Sequence, residues 1–331
     1  MYREIYDLLN NRGKIKTAVY LEGPGAGKKY IEGREEENSS ILEDLSLNPL
    51  MEAVAACEKT GICKTKNGDR IFVEKYQKNP HLVILGGGHV ACPVAHIGKM
   101  LGFHVTVMDD REEFVTEKRF PDADVRIHDS FEHFSERILP YENAYYVVIT
   151  RGHRGDALCA RQILKRPYTY FGMIGSHTKV QLTREALQTE GFTKEQLDTI
   201  YAPIGLPIGG EMPEEIAVSI MAQILQVKNQ AGCVTLDENV EEAVLASIHG
   251  VMVTIVDKNG SSPRGIGSKM LAAEDGSIFG SIGGGSVEFE AMNHAPFVKK
   301  FEIQSYNLST ADTKNLGMIC GGNVEVMFER I

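Results

Sequence analysis

The stretch His81-Leu-Val-Ile-Leu85, followed by Gly86-Gly87-Gly88 and His89-Val90-Ala91, decides the fold of this chain. Its first five residues form an apolar run of strand length, the glycines predict a tight turn, and apolar residues at helical spacing follow as far as Leu101. Val105–Met108 predicts a second strand, which ends at Asp109. This order is typical of a βαβ unit of about thirty residues, whose parallel strands are buried on both faces.

The pattern continues toward the C-terminus of the same domain. Residues 145–149 and 169–174 predict further buried strands, and each of them stops at a polar turn. Ser176 can cap the helix that follows, and Pro213 suits the first turn of a later helix. We therefore predict that residues 80–230 form one doubly wound, Rossmann-like α/β domain around a parallel sheet.

Smaller α+β modules flank this domain. Residues 231–331 alternate short helices and strands with glycine-rich and hydroxyl-rich loops at 260–269 and 280–288. Residues 1–79 run through a similar order of elements, which indicates a degenerate N-terminal copy of the C-terminal module. Coincidence between two small α+β segments is the alternative interpretation.

The composition limits the function classes. The chain has 331 residues, 43% of them hydrophobic and 24% charged, with a formal net charge of -10. This acidic balance argues against a nucleic-acid binder or a protein of anionic membrane surfaces. No apolar run approaches the ~18 residues of a membrane span, and Met1–Glu4 lacks the start of a signal peptide. We expect a cytoplasmic protein.

The six cysteines support the same location. They are scattered without a CxxC pair, so we expect reduced thiols and no structural zinc site. The chain is also long enough to need no disulfide framework.

The first candidate site is the glycine turn itself, which fits G-x-G-x-x-A between a strand and a helix. The amides of Gly86, Gly87, Gly88 and His89 would face the phosphate of a nucleotide at the start of the helix. Asp109 or Asp110 would accept a hydrogen bond from a ribose hydroxyl, whereas the neighbouring Arg111 keeps a 2′-phosphate possible. A glycine turn kept only for strand–helix packing is the alternative.

Further polar residues follow the later strands of the predicted sheet. Arg151, His153 and Arg154 come after one strand, and Gly175 and Ser176 come after the next. Since ligands bind beyond the carboxyl ends of parallel strands, these residues are candidates for the same site. The guanidinium groups suit a pyrophosphate or carboxylate, and His153 could relay a proton. A charged surface loop is the alternative.

The C-terminal module holds a second set of candidates in its loops. Gly283, Gly284 and Gly285 lead into a helical segment and resemble an anion cradle. The other residues singled out in these loops are Ser262, Arg264, Ser286, Glu288 and Cys320. Such glycine loops also serve as plain tight turns.

Residues 23–29, Gly-Pro-Gly-Ala-Gly-Lys-Lys, look like a P-loop. The P-loop motif needs Gly at position 22 and Ser or Thr at position 29, where this chain has Glu22 and Lys29. We therefore expect no ATP hydrolysis.

Taken together, these motifs resemble the xanthine dehydrogenase accessory factors, the XdhC/CoxI family of molybdenum-hydroxylase maturation proteins. The likeness covers residues 80–331 and rests on the motifs above together with residues 203–217 and 318–322. The family's usual order places the glycine-loop module before the Rossmann-like domain, whereas here the complete motifs are C-terminal. Many members carry Cys in the second glycine loop, where this chain has Ser286, so Cys320 is the nearest thiol of these motifs.

The resemblance implies a protein that binds a molybdopterin-type cofactor, in a form that includes the dinucleotide, without catalysing the hydroxylation itself. The resemblance also implies that the protein assists the sulfuration of that cofactor and its delivery to a molybdenum hydroxylase. The implied partners are this hydroxylase and a sulfur-donor desulfurase. We also expect a homodimer, because a module of short strands must protect its edges. The alternatives are an NAD(P)-dependent oxidoreductase and a non-catalytic scaffold between hydroxylase and sulfur donor.

Overall fold

A computed structural model describes residues 2–33, 47–260, 264–307 and 322–331, with His153 described by its backbone alone. The chain forms two compact units, one of residues 79–231 and one built from residues 1–78 together with 232–331. The two ends of the chain, which the sequence analysis treated as separate modules, therefore share one unit. Among the described residues, no helix combines the length and apolar character needed to span a membrane.

The N-terminal part of the shared unit forms an antiparallel four-stranded sheet with the strand order β2-β1-β4-β3. Its elements are α1 (Tyr2–Arg12), β1 (Lys14–Tyr20), β2 (Lys29–Ile31), α2 (Asn48–Ala56), β3 (Gly61–Lys64) and β4 (Arg70–Gln77). Pro49 stands at the start of α2, where its missing N–H costs no hydrogen bond.

The unit of residues 79–231 is a Rossmann-like fold, as predicted. Its five strands are all parallel and follow the order β7-β6-β5-β8-β9. The elements are β5 (His81–Leu85), α3 (Ala91–Met100), β6 (His104–Asp109), β7 (Val125–His128), α4 (Phe134–Arg137), β8 (Ala144–Val148), α5 (His153–Ile163), β9 (Tyr170–Met173), α6 (His177–Thr189), α7 (Lys194–Asp198) and α8 (Pro213–Gln230). The strand side chains enter two separate apolar clusters, so both faces of the sheet are covered.

The helix signals of the sequence operate as expected in this unit. The Ser176 hydroxyl accepts a hydrogen bond from the amide of Lys179 at the start of α6, and Gly191 follows that helix with a φ of 97°. Thr193 and Gln196, which have capping-box spacing in the sequence, form a capping box at the start of α7. The edge strand β7 was not predicted, because only four partly exposed residues form it.

The C-terminal part of the shared unit forms an antiparallel sheet with the order β12-β11-β10-β14-β13. Its elements are α9 (Glu238–Leu245), β10 (Gly250–Gly260), β11 (Lys269–Ala273), β12 (Ile278–Gly280), α10 (Gly285–His294), β13 (Phe301–Asn307) and β14 (Gly322–Arg330). If the short edge strand β12 is left out, this part has the same element order as α1 to β4, namely a helix, two strands, a helix and two strands. The strand order is also the same, because β11-β10-β14-β13 corresponds to β2-β1-β4-β3. The two ends of the chain thus share one topology, and each of them is called a module copy.

One expectation about the cysteines is wrong. Cys57, just after α2, and Cys63, in β3, are joined by a disulfide. The turn from helix to strand brings these positions together across six residues of sequence, a spacing that a search for CxxC pairs does not detect. The described cysteines outside this bond are Cys92, Cys159 and Cys233.

Candidate functional site

The candidate site in the Rossmann-like unit lies at the carboxyl ends of β5, β6 and β8. The chain leaves β5 toward β6 on one side, whereas β8 pairs with β5 on the other. The strand order therefore reverses beside β5, and in open parallel sheets ligands bind at such a reversal. The loop of residues 86–90 connects β5 to α3 at this place.

The backbone amides of this loop divide into two groups. The amide of Gly86 donates to the Met108 carbonyl (2.8 Å), and the amide of Gly87 donates to the Asp109 carboxylate (2.7 Å). The amides of Gly88 and His89 have no acceptor within the described part of the chain. Of the predicted phosphate-binding amides, only these two remain available to an added ligand.

Sterics explain why this loop needs glycine at two positions. A Cβ atom on Gly86, whose φ is +113°, would lie 2.5 Å from the Ile149 carbonyl oxygen, and one on Gly87 would lie 2.1 Å from that of Phe114. A Cβ on Gly88 would meet nothing within 4 Å. The space beside the loop is therefore open at Gly88, next to the free amides.

Asp109 is part of the structure of this loop. It is 1% exposed, and its carboxylate accepts hydrogen bonds from the Gly87 amide, the Arg111 amide and two atoms of the Arg111 guanidinium. Burial raises the pKa of the Asp109 carboxyl, but the bonds to Arg111 and Gly87 outweigh it and hold the pKa below its usual value. Asp109 was one of the two residues predicted to accept a hydrogen bond from a ribose hydroxyl, but its carboxylate is already bonded to Gly87 and Arg111.

Asp110 and Arg151 are accessible and lie near each other. Their closest oxygen and nitrogen are 3.7 Å apart, and the Asp110 carboxylate is also 3.7 Å from the Arg111 guanidinium. Asp110 follows β6 and Arg151 follows β8, so this ion pair connects the ends of the two strands that flank β5. His153 is the first residue of α5, but its side chain is outside the described residues.

Arg119 lies beside the glycine loop and is a candidate site residue that no sequence motif indicated. Its Nε atom donates to the Gly87 carbonyl (2.8 Å), and its guanidinium lies over the Phe114 ring at 4.9 Å. Its Nη2 atom is buried and has no hydrogen-bond partner among the described residues. The signal is weak in the sequence, because Arg119 comes ten residues after β6 in an irregular segment. A buried, unpaired guanidinium nitrogen beside the loop is a donor available to an anion.

Cys92 lies beside Arg119 and the glycine loop. Its thiol, in the first turn of α3, is 3.8 Å from the Gly88 carbonyl oxygen. Burial raises the pKa of Cys92, and the positive charge of Arg119 acts in the opposite direction. The Cys92 thiol is therefore protonated near neutral pH.

The residues after β8 and β9 form a buried polar cluster. The Asp156 carboxylate, fully buried in the first turn of α5, accepts a hydrogen bond from the Thr150 hydroxyl (2.5 Å) and pairs with the Lys179 ammonium (2.5 Å). Burial raises the pKa of Asp156 despite these partners. Ser176 uses its hydroxyl as the α6 cap, and Gly175 packs against the Lys179 side chain. These groups hold the strand ends in place.

The glycine loop of the C-terminal module already contains an anion of its own. The Glu288 carboxylate accepts hydrogen bonds from the Ser281 hydroxyl (2.6 Å) and from the amides of Ile282 (2.8 Å) and Gly284 (3.0 Å). The amide of Gly283 donates to the Ser281 hydroxyl (3.0 Å). Burial raises the pKa of Glu288, but these bonds outweigh it and lower the pKa below its usual value. Two of the three glycines predicted to form the anion cradle, Gly283 and Gly284, thus donate their amides to the side chains of Ser281 and Glu288.

The remaining predicted residues of this module are placed differently. Gly285 and Ser286 are the first residues of α10. Arg264 lines a cavity of about 250 Å³. The other residues lining this cavity are Cys233, Val234, Thr235, Asp237, Ile266, Gly267, Ser268 and Lys269. Ser262 and Cys320 lie outside the described residues.

The P-loop-like segment at residues 23–29 joins the antiparallel strands β1 and β2, whereas a P-loop joins a strand to a helix. Its residues 24–29 correspond instead to residues 264–269 of the other module copy. Gly27 and Gly267 both have positive φ, and their amides donate to equivalent carbonyls, those of Tyr20 and Ile255. In this alignment Pro24 stands at the position of Arg264.

Within the parts of the chain that the structure describes, no group of three or more His, Cys, Asp or Glu side chains is arranged to hold a metal ion.

Comparison with known proteins agrees with this architecture. The family model described as the XdhC Rossmann domain matches residues 82–224, and the model of the XdhC and CoxI family matches residues 243–300. The Escherichia coli K12 protein named "Uncharacterized protein YqeB" is 33% identical over 162 residues, which are 49% of this chain and 30% of that protein.

A second curated protein and a solved structure are also similar to this chain. A Bacillus subtilis 168 protein, named as a probable subunit of xanthine dehydrogenase, is 26% identical over 233 residues, 70% of this chain and 66% of that protein. The chain in a crystal structure of a xanthine dehydrogenase from Bacillus halodurans is 24% identical to this chain in sequence, with a TM-score of 0.49. The match covers 69% of this chain and 63% of the Bacillus halodurans chain. The chain spans less than a third of YqeB and just under two thirds of the Bacillus subtilis protein.

The structure thus shows an α/β protein of two units, one with a Rossmann-like fold and one in which a small α+β topology occurs twice. Because both family models match this chain, over residues 82–224 and 243–300, the chain belongs to the XdhC and CoxI family.

Proposed function

We propose that this protein is an accessory factor for a molybdenum hydroxylase such as xanthine dehydrogenase. In this role it binds a molybdopterin-type cofactor and assists its sulfuration and its insertion into the hydroxylase. Family membership and the Bacillus subtilis relative named for xanthine dehydrogenase support an accessory role. A sulfur-donor desulfurase as second partner, a homodimeric state and a cytoplasmic location complete the proposal.

The observation that carries the proposal is the unpaired donor set at the end of β5. The Nη2 atom of Arg119 is buried without a partner among the described residues, and the amides of Gly88 and His89, just before α3, have no acceptor there either. The positive end of a helix dipole adds to this charge. An anionic group such as the phosphate of the cofactor fits these donors.

A nucleotide part of the ligand would lie toward the ends of β6 and β8. Asp110 is accessible there and can accept hydrogen bonds from ribose hydroxyls, whereas the Asp109 carboxylate is engaged by Gly87 and Arg111. Arg151 pairs loosely with Asp110 and can turn to a phosphate. This arrangement suits a dinucleotide form of the cofactor.

When bound, the cofactor supplies the molybdenum centre that a hydroxylase needs; the residues of this chain bind and orient it. In the C-terminal module, Glu288 already takes the amides of Ile282 and Gly284.

The proposal is tested by purifying the full-length protein from cells with an intact pterin pathway and measuring the retained pterin by mass spectrometry. We expect stoichiometric retention by the wild type. Arg119→Gln should reduce retention roughly tenfold or more, because it removes a charged hydrogen-bond donor. Arg137→Gln is the matched control, since Arg137 is an exposed arginine of the same unit that pairs with Asp129. Absence of pterin from the wild-type protein would contradict the proposal.

A nicotinamide dinucleotide is the competing ligand, because the strand reversal beside β5 and the carboxylate of Asp110 suit its pyrophosphate and ribose equally. Titration of the purified protein with NADH and NADPH, followed by fluorescence, distinguishes the two. Saturable binding of either, with oxidation of the nicotinamide by an added substrate, would favour an oxidoreductase over a maturation factor.

A further inference from the structure

The two module copies pack against each other in a symmetric way. The strand pairing shows which residues of the two copies are equivalent. In one copy, Val19 on the first strand pairs with Lys29 on one neighbouring strand and with Phe72 on the other. In the other copy, Thr254 pairs in the same way with Lys269 and Met327. The alignment makes Glu74 the equivalent of Glu329 and Ile62 the equivalent of Ile303.

Equivalent residues make equivalent contacts between the copies. Lys29 pairs with Glu329 at 2.8 Å, and its counterpart Lys269 pairs with Glu74, the counterpart of Glu329. All four side chains are 10% exposed or less. Two reciprocal pairs of this kind are what a two-fold axis produces.

The apolar contacts follow the same rule. One cluster contains both Phe72 and its equivalent Met327, with Ile62 and its equivalent Ile303 at its margin. Another contains apolar residues of α1 together with those of α9, the corresponding helix. Positions that meet their own equivalents lie near the axis of such a pair.

Arg70 and Glu325 form the one charged pair of this type that the described residues show. They occupy equivalent positions, two residues before Phe72 and Met327, and they contact each other: Nη1 of Arg70 is 3.0 Å from Oε1 of Glu325, and Nη2 also bonds the carboxylate. Their side chains are 26% and 17% exposed. A symmetric homodimer would place two identical residues here.

We propose that residues 1–78 act as a built-in partner for the C-terminal module. They cover the face through which that module would otherwise pair with a second copy of itself, and the Arg70–Glu325 pair makes this association specific for the unlike copy. Two C-terminal modules would bring Glu325 against Glu325, and like charges at an interface oppose association.

A charge-exchange cycle tests the ion pair. Arg70→Glu and Glu325→Arg each recreate the like-charge contact of a homotypic pair, so each should lower the melting temperature by about 3 °C or more. Arg70→Glu suffers more, because Glu22 lies 4.0 Å from Arg70. The double exchange should recover more than half of the summed loss, and the losses should shrink at high salt.

The control is the pair of Arg330 and Glu274, which are 2.8 Å apart within the C-terminal module and 36% and 63% exposed. Its cycle should show little coupling. If the charge-exchange variants fold poorly, Arg70→Gln and Glu325→Gln provide a milder cycle. Coupling no larger than that of the control in both cycles would overturn the role of this pair.

A cleavage experiment tests the built-in partner itself. A protease site inserted between Lys78 and Asn79 of the full-length protein is cut after folding. We expect residues 1–78 to co-elute with residues 79–331 in gel filtration, and to dissociate at lower urea in the Arg70→Glu variant. Release of residues 1–78 from the cut wild-type protein under native conditions would overturn the proposal.

Discussion

Removing the Glu288 carboxylate should open the glycine loop of the C-terminal module and make its stability depend on added anions. In Glu288→Ala, the Ser281 hydroxyl and the amides of Ile282 and Gly284 lose their common acceptor. An unsatisfied buried donor costs about 1–3 kcal/mol, and water reaches part of this half-buried site. We therefore expect a loss of about 2 kcal/mol in the free energy of unfolding, or roughly 4–8 °C in melting temperature.

The assay compares thermal unfolding in sodium formate and in sodium chloride at equal ionic strength. Formate is a carboxylate small enough to replace the missing group, so it should raise the melting temperature of Glu288→Ala but not of the wild type. Hydrogen exchange of residues 280–290 should speed up in the variant and slow again with formate. The control is Glu290→Ala, an exposed carboxylate on the same helix.

The pH dependence has a defined sign. Because the pKa of Glu288 lies below its usual value in the folded protein, its contribution is present above the ordinary Glu pKa of 4.5 and disappears as the pH falls. Glu288→Ala should lack this part of the acid sensitivity. The reasoning is refuted if Glu288→Ala and Glu290→Ala melt together with the wild type, or if formate stabilises all three equally.

Three further outcomes are expected. Lys269→Met should cost about 3–5 kcal/mol in urea unfolding because it leaves Glu74 buried without its cation, and adding Glu74→Gln should recover part of that loss. Gly87→Ala should lower the melting temperature by several degrees, since its Cβ would lie 2.1 Å from a carbonyl oxygen, whereas Gly88→Ala should leave it within about a degree. Burial lowers the pKa of His81 from 6.5 to about 4, so the unfolded state binds a proton at a higher pH than the folded state does. The free energy of unfolding should therefore fall by about 3 kcal/mol between pH 6.5 and pH 4. His81→Gln should remove this part of the loss in an acid unfolding profile.

The sequence predicted the central fold well because its signals there are local. An apolar strand, a glycine turn and an amphipathic helix follow one another from His81 to Leu101, and the structure places β5 and α3 within one residue of that pattern. The caps at Ser176 and Thr193 depend only on neighbours three residues away. The edge strands β3, β7 and β13 were missed because partial exposure removes the apolar run that marks a strand.

The site was harder to predict because its decisive contacts are non-local. The glycine pattern correctly indicates where the chain turns at the sheet edge. It does not indicate that the carboxylate of Asp109 returns to the Gly87 amide, 22 residues away, or that Arg119 comes back over the loop. In the C-terminal module, Glu288 is a predicted site residue, but its bonds to the preceding loop depend on the backbone path of Ile282–Gly284.

The correspondence between residues 24–29 and 264–269 has an evolutionary consequence. In an assembly of identical chains, every substitution appears in both halves at once, so a change harmful to one binding loop is harmful to all. Here a single reading frame encodes the two halves separately, and each can drift alone. The loop of the C-terminal copy has Arg264 where the N-terminal loop has Pro24, and the N-terminal loop resembles an ATP-binding motif by chance. A motif search applied to such fused proteins will find nucleotide sites where only a relaxed duplicate remains.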